Sequence, residues 1–242
     1  MTDVRLQRAC LYLAALLPQR LRRHIPPPLA QPAARHASLD EVASKALFAQ
    51  HGIPSVPEYA VPTPEDAARA ARDLGGPVVL KIRGVAHKTD VGGVALGLRP
   101  DEIAAACERM PSPAGWLVQR QVTDGVEMLL GLVRDPQLGL AMMLGAGGIL
   151  TEVFGDTALR LLPLRPGDAE QMLRTLKVTT LLEGFRGRPR ADVPALLQAI
   201  DDFATLAADL GDELLEAEIN PLFVLPEGQD VLAADGLVVL RR

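Results

Sequence analysis

The sequence predicts an α+β protein made of two lobes, each with its own strands and helices. Short runs rich in β-branched and aliphatic residues alternate with segments of helical spacing along the chain. The chain has 242 residues, of which 48% are hydrophobic, and this is enough to form two cores. Strand runs occur in both halves, so each half can build a sheet, and we expect the two sheets to face a cleft.

Prolines separate the start of the chain from the rest. An amphipathic helix is predicted over residues 4–23, and the segment 25–37, with three consecutive prolines, is predicted to be an extended linker. We therefore divide the chain into an N-terminal helix and linker (1–37), a first lobe (38–115) and a second lobe (116–242).

The first lobe is predicted to begin with two capped helices. Ser38 and Glu41 have the spacing of a capping box, and the helix that follows is expected to end near Gly52. Thr63 is a second N-cap, with Pro64 in the first helical position. The lobe also contains a strand and a helix, predicted at Ile53–Ala60 and Asp101–Met110.

One strand–loop–strand unit, Pro77–Gly97, concentrates residues that could bind an anion. Lys81 ends the short buried strand Val78–Leu80, and a polar loop containing His87 and the pair Gly92-Gly93 follows it. The second strand of the unit is predicted at Val94–Leu98. Glycine lets backbone N–H groups approach an anion closely, and lysine adds a point charge. From these residues alone, the unit is either a polyphosphate site or a hairpin with a solvated basic loop, and His87 is a phosphoryl acceptor or a hydrogen-bond donor.

The second lobe is predicted to consist of a strand series, a group of helices and two closing strands. Trp116–Val122 and Val126–Val133 are expected to form a hairpin through Thr123–Gly125. The other predicted strands are Leu138–Leu144, Ile149–Phe154, Thr157–Leu162, Leu214–Val224 and Asp230–Leu240. The predicted helices are Pro166–Leu176, Thr179–Glu183 and Asp192–Leu210.

The closing strands carry a candidate metal site. Alternation places Glu218 and Asn220 on one face of the first strand, and Asp235 lies on the second. Carboxylate and amide oxygens without His or Cys suit Mg²⁺ that also holds phosphates. An exposed polar face is the alternative interpretation of the same residues.

Two further carboxylates lie in apolar surroundings. Glu127 interrupts an apolar strand, and Glu152 follows the break at Gly147-Gly148. Each carboxylate either faces solvent by strand alternation or points into a site.

Composition narrows the classes of function. The net charge is −5, the sequence pI is about 5.4 and aromatic residues make up 3% of the chain. These values argue against nucleic-acid binding by a basic face or by stacking. The two cysteines, without a secretion signal, predict reduced thiols in a cytoplasmic protein. The apolar stretch 9–17 is too short to span a bilayer, and a peripheral membrane helix remains an alternative for it.

Taken together, the motifs resemble the ATP-grasp portion of the NDP-forming acyl-CoA synthetases. This family includes ADP-forming acetate–CoA ligase and is related to the β subunit of succinyl-CoA synthetase. The resemblance covers about Ser38 to Arg242, and its specificity lies in the joint order of the motifs. The landmarks are Leu39-Asp40-Glu41 with Lys45, Gly52-Ile53-Pro54, Val79-Leu80-Lys81, His87-Lys88-Thr89-Asp90, Arg134-Asp135-Pro136-Gln137, Leu144–Gly148, Gly184–Pro189 and Glu218–Leu222.

The resemblance implies an ATP-grasp fold and a role for each site residue. Lys81 would contact nucleotide phosphates, and Gln119 would lie at the hinge that holds adenine, where relatives often have Glu. Glu127 would face the ribose. The other implied nucleotide contacts are Gly92, Gly93, Gly147, Gly148 and Glu152. Asn220 and Asp235, with Glu218, would bind Mg²⁺.

The resemblance also implies an activity that needs a partner. The reaction would be carboxylate + CoA + ATP ⇌ acyl-CoA + ADP + Pi. His87 would take phosphoryl from a phosphohistidine of a CoA-binding α-type subunit and pass it to ADP. No GxGxxG fingerprint or room for the CoA-binding and ligase domains is found, so we expect a separate β subunit in an oligomer. The alternatives are a non-catalytic nucleotide-sensing module and a stand-alone ATP-grasp carboxylate–amine ligase.

Overall fold

The structure is a computed structural model that describes residues 36–85, 88–112, 114–148 and 155–242. The predicted N-terminal helix, almost all of the linker, His87, Glu152 and the predicted strand Ile149–Phe154 lie outside these residues. The α+β class predicted from the sequence is confirmed, because the described residues form two sheets with helices on each. The chain divides into two compact units, one of which is Ser55–Asp124.

The smaller unit is a four-stranded antiparallel sheet with two helices. Its strands are β2 (Glu58–Val61), β3 (Val78–Ile82), β4 (Val94–Leu98) and β5 (Trp116–Arg120), in the order β2-β5-β3-β4. Its α-helices are α2 (Pro64–Leu74) and α3 (Ile103–Arg109), and a short 3₁₀ helix covers Lys88–Val91. The predicted Thr63 cap is confirmed, since the Thr63 hydroxyl accepts a hydrogen bond from the Asp66 N–H.

The core of the smaller unit lies between its sheet and its two helices. Alternate residues of β3 and β5, among them Leu80 and Val118, pack against the alanine-rich side of α2 and against α3. Cys107 of α3 is buried in this core, and burial, with a smaller contribution from Glu65, raises the pKa of its thiol to about 11. The thiol is therefore protonated at neutral pH and is a poor nucleophile.

The larger unit is built on an antiparallel seven-stranded sheet. Its strands are β1 (His36–Leu39), β6 (Val126–Asp135), β7 (Gly139–Ala146), β8 (Thr157–Leu161), β9 (Leu214–Val224), β10 (Val231–Ala233) and β11 (Gly236–Arg241). Their order is β1-β11-β9-β6-β7-β8, and β10 pairs with the end of β9. The predicted closing strand Leu214–Val224 is confirmed as β9. The second predicted strand, Asp230–Leu240, is divided at Ala234 and Asp235 into β10 and β11, which both run antiparallel to β9.

The helices of the larger unit cover one face of this sheet. They are α1 (Glu41–Gln50), α4 (Asp168–Thr175), α5 (Thr179–Leu182) and α6 (Val193–Leu210). Phe203 of α6 packs edge-on against Phe48 of α1, with ring centroids 5.6 Å apart, at the centre of the core. Within the described parts of the chain, no helix has both the length and the apolar character needed to cross a membrane.

The two units differ from the predicted division at 38–115 and 116–242. β1 pairs with β11, so the residues from His36 to Pro54 belong with the larger unit. β5 pairs with β2 and β3, so the hairpin predicted between β5 and β6 is wrong. The reason is that Asp124 and Gly125 mark the passage of the chain from one sheet to the other instead of a tight turn within one sheet.

The start of α1 also differs from the prediction. Ser38 was expected to be the N-cap, but it lies in β1, in register with Val239 of β11. Asp40 caps the helix instead, and its side chain accepts a hydrogen bond of 2.9 Å from the Ala43 N–H. Long-range strand pairing thus holds Ser38 in an extended conformation and moves the cap by two residues.

Asp192 joins two parts of the larger unit. Its Oδ1 caps α6 by accepting from the Ala195 N–H, and its Oδ2 accepts from the N–H groups of Gly228 and Asp230 in the turn between β9 and β10. The Asp230 N–H, with the other backbone donors, holds the pKa of this carboxyl below its usual range, although burial opposes the effect.

Replacing Asp192 by alanine is therefore expected to lower the free energy of unfolding by about 2–4 kcal/mol, because a helix cap and two turn donors lose their acceptor. The pKa is lower in the folded state, so this stabilisation is complete above the ordinary carboxyl pKa of about 4 and is lost as pH falls through the folded value. Urea unfolding at pH 7 and pH 3 measures it. The exposed Asp73 of α2 provides a matched Asp73→Ala control, and equal losses for both variants would contradict the expectation.

Candidate functional site

The smaller unit buries a lysine on the sheet face that its helices do not cover. Lys81 of β3 is in register with Leu117 of β5, and Val79 is in register with Gln119. None of these four residues belongs to the core beneath α2 and α3, and alternation puts all of them on the opposite face. We call this the Lys81 face. Only 6% of Lys81 and 3% of Gln119 are exposed, so a cation and an amide are both held in a largely desolvated setting.

Gln119 has a defined hydrogen-bond partner on the neighbouring strand. Its Nε2 donates to Oε2 of Glu58 over 2.8 Å, and the two residues are in register between β2 and β5. Sequence reasoning missed Glu58, because the pairing of β2 with β5 links residues that are far apart in the chain. The structure therefore supports a fixed side-chain amide at the position predicted for the hinge.

Steric and backbone constraints explain why both residues of the Gly92-Gly93 pair are glycine. A Cβ on Gly93 would lie 2.5 Å from the Ile82 side chain and 2.9 Å from the Lys88 carbonyl oxygen, so only glycine fits there. Gly92 has a φ of +67°, which favours glycine. Both observations account for the residue type without a ligand, and the phosphate contacts of Gly92 and Gly93 remain predictions.

The larger unit has an equivalent polar face. Glu218 of β9 is in register with Gly131 of β6 and with Leu237 of β11, and all three lie opposite the core that α1 and α6 cover. Glu216 lies on the same side two residues earlier and is only 6% exposed. We call this the Glu218 face. The sequence analysis missed Glu216, which the alternating order Glu-Ala-Glu-Ile-Asn could have indicated.

The structure brings Asn220 and Asp235 to the same end of this face. The Asn220 Nδ2 donates to Oε1 of Glu218 over 3.3 Å, so the amide oxygen of Asn220 is directed away from Glu218. The Ala234 N–H donates to the Pro221 carbonyl oxygen, and Gly236 is in register with Ile219, so Asp235 lies opposite Asn220. These oxygen donors fit Mg²⁺, which prefers carboxylate and amide oxygens.

A buried lysine supports the corner that holds Asp235. Lys45 is 2% exposed, and its Nζ donates to Oε1 of Glu41 over 2.8 Å and to the Ala234 carbonyl oxygen over 3.4 Å. A Cβ on Gly236 would lie 2.6 Å from the Phe48 ring, so glycine is needed for α1 to approach this closely. Lys45 was identified from the sequence only as a landmark, and its contacts give it a role in positioning the β10–β11 corner.

Glu127 lies beside the Gly147-Gly148 pair. The Gly147 N–H donates to the Glu127 carbonyl oxygen over 2.7 Å, and Gly148, with a φ of +65°, lies against the Glu127 carboxylate. The Glu127 side chain is exposed on the Glu218 face. The carboxylate therefore faces solvent, on the same side of the sheet as Glu218 and Asn220. Its predicted ribose contact stays a prediction.

Replacing Gly147 by alanine is expected to disrupt this arrangement. A Cβ there would lie 2.8 Å from the Glu127 carbonyl carbon and 2.9 Å from the Met128 nitrogen, and backbone atoms cannot move aside cheaply. We expect a loss of about 1–3 kcal/mol in the free energy of unfolding. The matched control is Gly131→Ala in β6, whose nearest contact would be an ordinary 3.6 Å. Chemical unfolding of both variants checks this, and equal stability would contradict it.

Two motifs that carried the resemblance, Arg134–Gln137 and the loop 184–190, lie away from the Glu218 face. Arg134 donates from Nε to the Leu214 carbonyl oxygen over 2.7 Å, and Asp135 caps the following turn by accepting from the Gln137 N–H. The arginine loop at 184–190 connects α5 to α6, on the sheet side that carries the helices. Its guanidinium at Arg186 lies 5.2 Å from the centroid of the Phe185 ring. These motifs therefore do not join the Glu218 face.

Comparison with known proteins explains the order of the motifs. Residues 30–240 match the family described as the ATP-grasp domain. The chain belongs to the ATP-grasp family. The resemblance inferred from the sequence is thereby confirmed, and so is the ATP-grasp fold, with two sheets that carry helices on one face each.

Several relatives of the chain are named as ADP-forming acetate–CoA ligases or their subunits. The chain is 34% identical to acetate–CoA ligase [ADP-forming] I subunit beta of Pyrococcus furiosus, over 86% of this chain and 94% of the relative. It is 36% identical to acetate–CoA ligase [ADP-forming] II of Archaeoglobus fulgidus, over 81% of this chain but only 29% of that longer relative. The chain thus spans most of the separate β subunit and less than a third of the single-chain relative.

A solved structure has the same ATP-grasp fold. It is dinucleotide-forming acetyl-coenzyme A synthetase 1 of Ca. Korarchaeum cryptofilum, in complex with coenzyme A and Mg-AMPPCP, with its phosphohistidine segment pointing towards the nucleotide binding site. The identity is 36%, the TM-score is 0.72, and the match covers 84% of this chain and 93% of that chain.

Proposed function

We propose that this ATP-grasp chain is the nucleotide-binding subunit of an ADP-forming acyl-CoA ligase. The reaction is carboxylate + CoA + ATP ⇌ acyl-CoA + ADP + Pi, and this chain carries the phosphoryl transfer between nucleotide and histidine. Membership of the ATP-grasp family and the similarity to ADP-forming acetate–CoA ligase β subunits support the assignment.

The single observation that carries the proposal is the placement of the polar residues. The sheet face that the helices leave uncovered carries Lys81 and Gln119 in the smaller unit, and Glu127, Glu218 and Asn220 in the larger unit. An ordinary surface lysine would be solvated, whereas Lys81 is buried within a strand. A desolvated ammonium interacts strongly with phosphate oxygens, because the local dielectric is low.

The larger unit is assigned to the metal. Asn220 and Asp235, with Glu218, would hold Mg²⁺ through oxygen ligands, and Glu127 would receive the ribose hydroxyls. When bound, Mg²⁺ neutralises charge on the phosphates of the nucleotide. The Asn220 amide is oriented for this role, since its nitrogen is occupied by Glu218.

Phosphoryl transfer needs positioning and charge neutralisation more than acid–base chemistry. Lys81 would hold the phosphates in line with the incoming acceptor, and the backbone N–H groups of Gly92 and Gly93 would add donors. His87, which lies outside the described residues, is assigned as the group that accepts phosphoryl and passes it to ADP. Gly147, Gly148 and Glu152 are assigned to the nucleotide side of the larger unit.

A partner is part of the proposal. The Pyrococcus furiosus relative is named as a subunit, which indicates a second polypeptide. We propose that the partner is an α-type subunit with a CoA site and a phosphohistidine segment. The carboxylate and CoA would reach the reaction through that subunit, and the assembly would be a cytoplasmic oligomer.

Calorimetry with the full chain tests the nucleotide assignment. We expect Mg·ADP and Mg·ATP to bind, and we expect ADP release from ATP, acetate and CoA only after an α-type subunit is added. Binding without turnover in that complex would favour a nucleotide-sensing module, and release of ADP without any partner would favour a stand-alone ligase. The absence of nucleotide binding would contradict the proposed function.

A further inference from the structure

The smaller unit holds a carboxylate–amide pair that the phosphate site does not use. Oε2 of Glu58 on β2 accepts a hydrogen bond of 2.8 Å from Nε2 of Gln119 on β5. The two residues are directly opposite each other in the antiparallel pair, so their side chains share one face of the sheet.

This pair fixes the orientation of an amide. An ionised carboxylate accepts hydrogen bonds and cannot donate them, so the NH₂ end of the Gln119 amide must face Glu58. The carbonyl oxygen Oε1 is consequently the end directed away from Glu58. Without a carboxylate beside it, a glutamine amide can present either end to a ligand.

The position of Gln119 suits a nucleotide base. Lys81 is in register with Leu117, so Gln119 lies two residues further along the strands on the Lys81 face, a step of about 7 Å. A nucleotide whose phosphates contact Lys81 would extend its base along this face towards the amide. This step rests on the proposed function, which assigns the phosphates to Lys81.

We propose that Glu58 is a positioning residue that makes the site select adenine over guanine. It holds the Gln119 carbonyl oxygen towards the base, where that oxygen accepts a hydrogen bond from the exocyclic amine of adenine. Guanine carries a carbonyl oxygen in the equivalent position, so two acceptors would face each other. A site built to bond an amine rejects the analogue that lacks it, because its own polar group is left without a partner.

The first experiment compares base preference in the wild-type chain and in Glu58→Gln. Calorimetry with Mg·ADP and Mg·GDP is expected to show that the wild type binds ADP about 10-fold or more tightly than GDP. In Glu58→Gln the amide at position 58 can donate or accept, so the Gln119 side-chain amide can flip. The preference for ADP over GDP should then fall to within about threefold. Glu108→Gln, on the exposed side of α3, is the matched control and should keep the wild-type ratio.

A second variant separates positioning from packing. In the double variant Glu58→Gln/Gln119→Glu the donor and the acceptor exchange strands, and the carboxylate introduced at position 119 can only accept from a base. We expect the preference for ADP to return in this variant. A purely structural role for Glu58 predicts no such rescue, and a thermal unfolding curve for each variant identifies any loss of folding.

The outcomes separate this inference from the proposed function. Equal binding of ADP and GDP by the wild type overturns the inference and leaves the proposed function in place, whereas binding of neither nucleotide overturns both. A folded Glu58→Gln variant that keeps the wild-type ratio also overturns the inference. So does a double variant that binds ADP without any preference over GDP.

Discussion

Replacing Lys81 by methionine is expected to lower the rate of ADP-forming turnover at least about 100-fold, because the proposed function places this preorganised cation at the transferring phosphates. Lys81 is almost fully buried, and the expected effect is large because water compensates poorly for a charge that is lost from a desolvated position. Methionine keeps the length and apolar stem of the side chain, so the strand should still form. Turnover in the complex with an α-type subunit and calorimetry with Mg·ADP measure the effect.

The control for Lys81 is a second lysine of the same chain. Lys177 lies just before α5 and is exposed, and the hydrogen bond found there uses its backbone N–H, so Lys177→Met should retain wild-type turnover. A Lys81→Met variant that is folded and turns over at the wild-type rate would remove the assignment of the phosphates to the smaller unit.

Replacing Asp235 by asparagine is expected to weaken Mg²⁺-dependent turnover by about 100-fold, since one negative charge leaves the proposed metal site while the side-chain shape is kept. The Asp235 Oδ1 accepts a hydrogen bond of 2.8 Å from the Gly236 N–H, and an amide oxygen can retain that contact. The loss should therefore appear in metal affinity more than in stability. Titration of activity with Mg²⁺ should show a higher half-saturating concentration.

The same titration on Asp73→Asn should follow the wild-type curve, because Asp73 is exposed on α2 in the other unit. Unchanged Mg²⁺ dependence in Asp235→Asn, measured beside this control, would contradict the metal assignment. Glu218→Gln should give a smaller loss, because the Asn220 amide can still donate to the substituted side chain.

Local signals in the sequence predicted local structure well. The Thr63 cap, the strand β4 and the long helix α6 all lie where spacing and capping chemistry placed them. The face shared by Glu218 and Asn220 also followed from strand alternation alone, because it depends only on neighbouring residues.

Features that depend on distant pairing could not be read from local patterns. Ser38 satisfies the capping-box spacing, yet its pairing with β11 makes it a strand residue. β5 and β6 have the turn residues of a hairpin between them, yet they belong to different sheets. Glu58 and the contacts of Lys45 became recognisable only when long-range contacts placed them beside predicted site residues.

The pairing of β1 with β11 has a consequence for how the protein is made. The smaller unit is the contiguous segment Ser55–Asp124, so all the strands of its sheet are available once the ribosome has passed Asp124. The strand β1 and the apolar side of α1, including Phe48, must wait until translation has reached β11. The apolar face of α1 therefore stays exposed in the nascent polypeptide during most of its synthesis. We expect chaperones that bind apolar segments to bind α1 during this period.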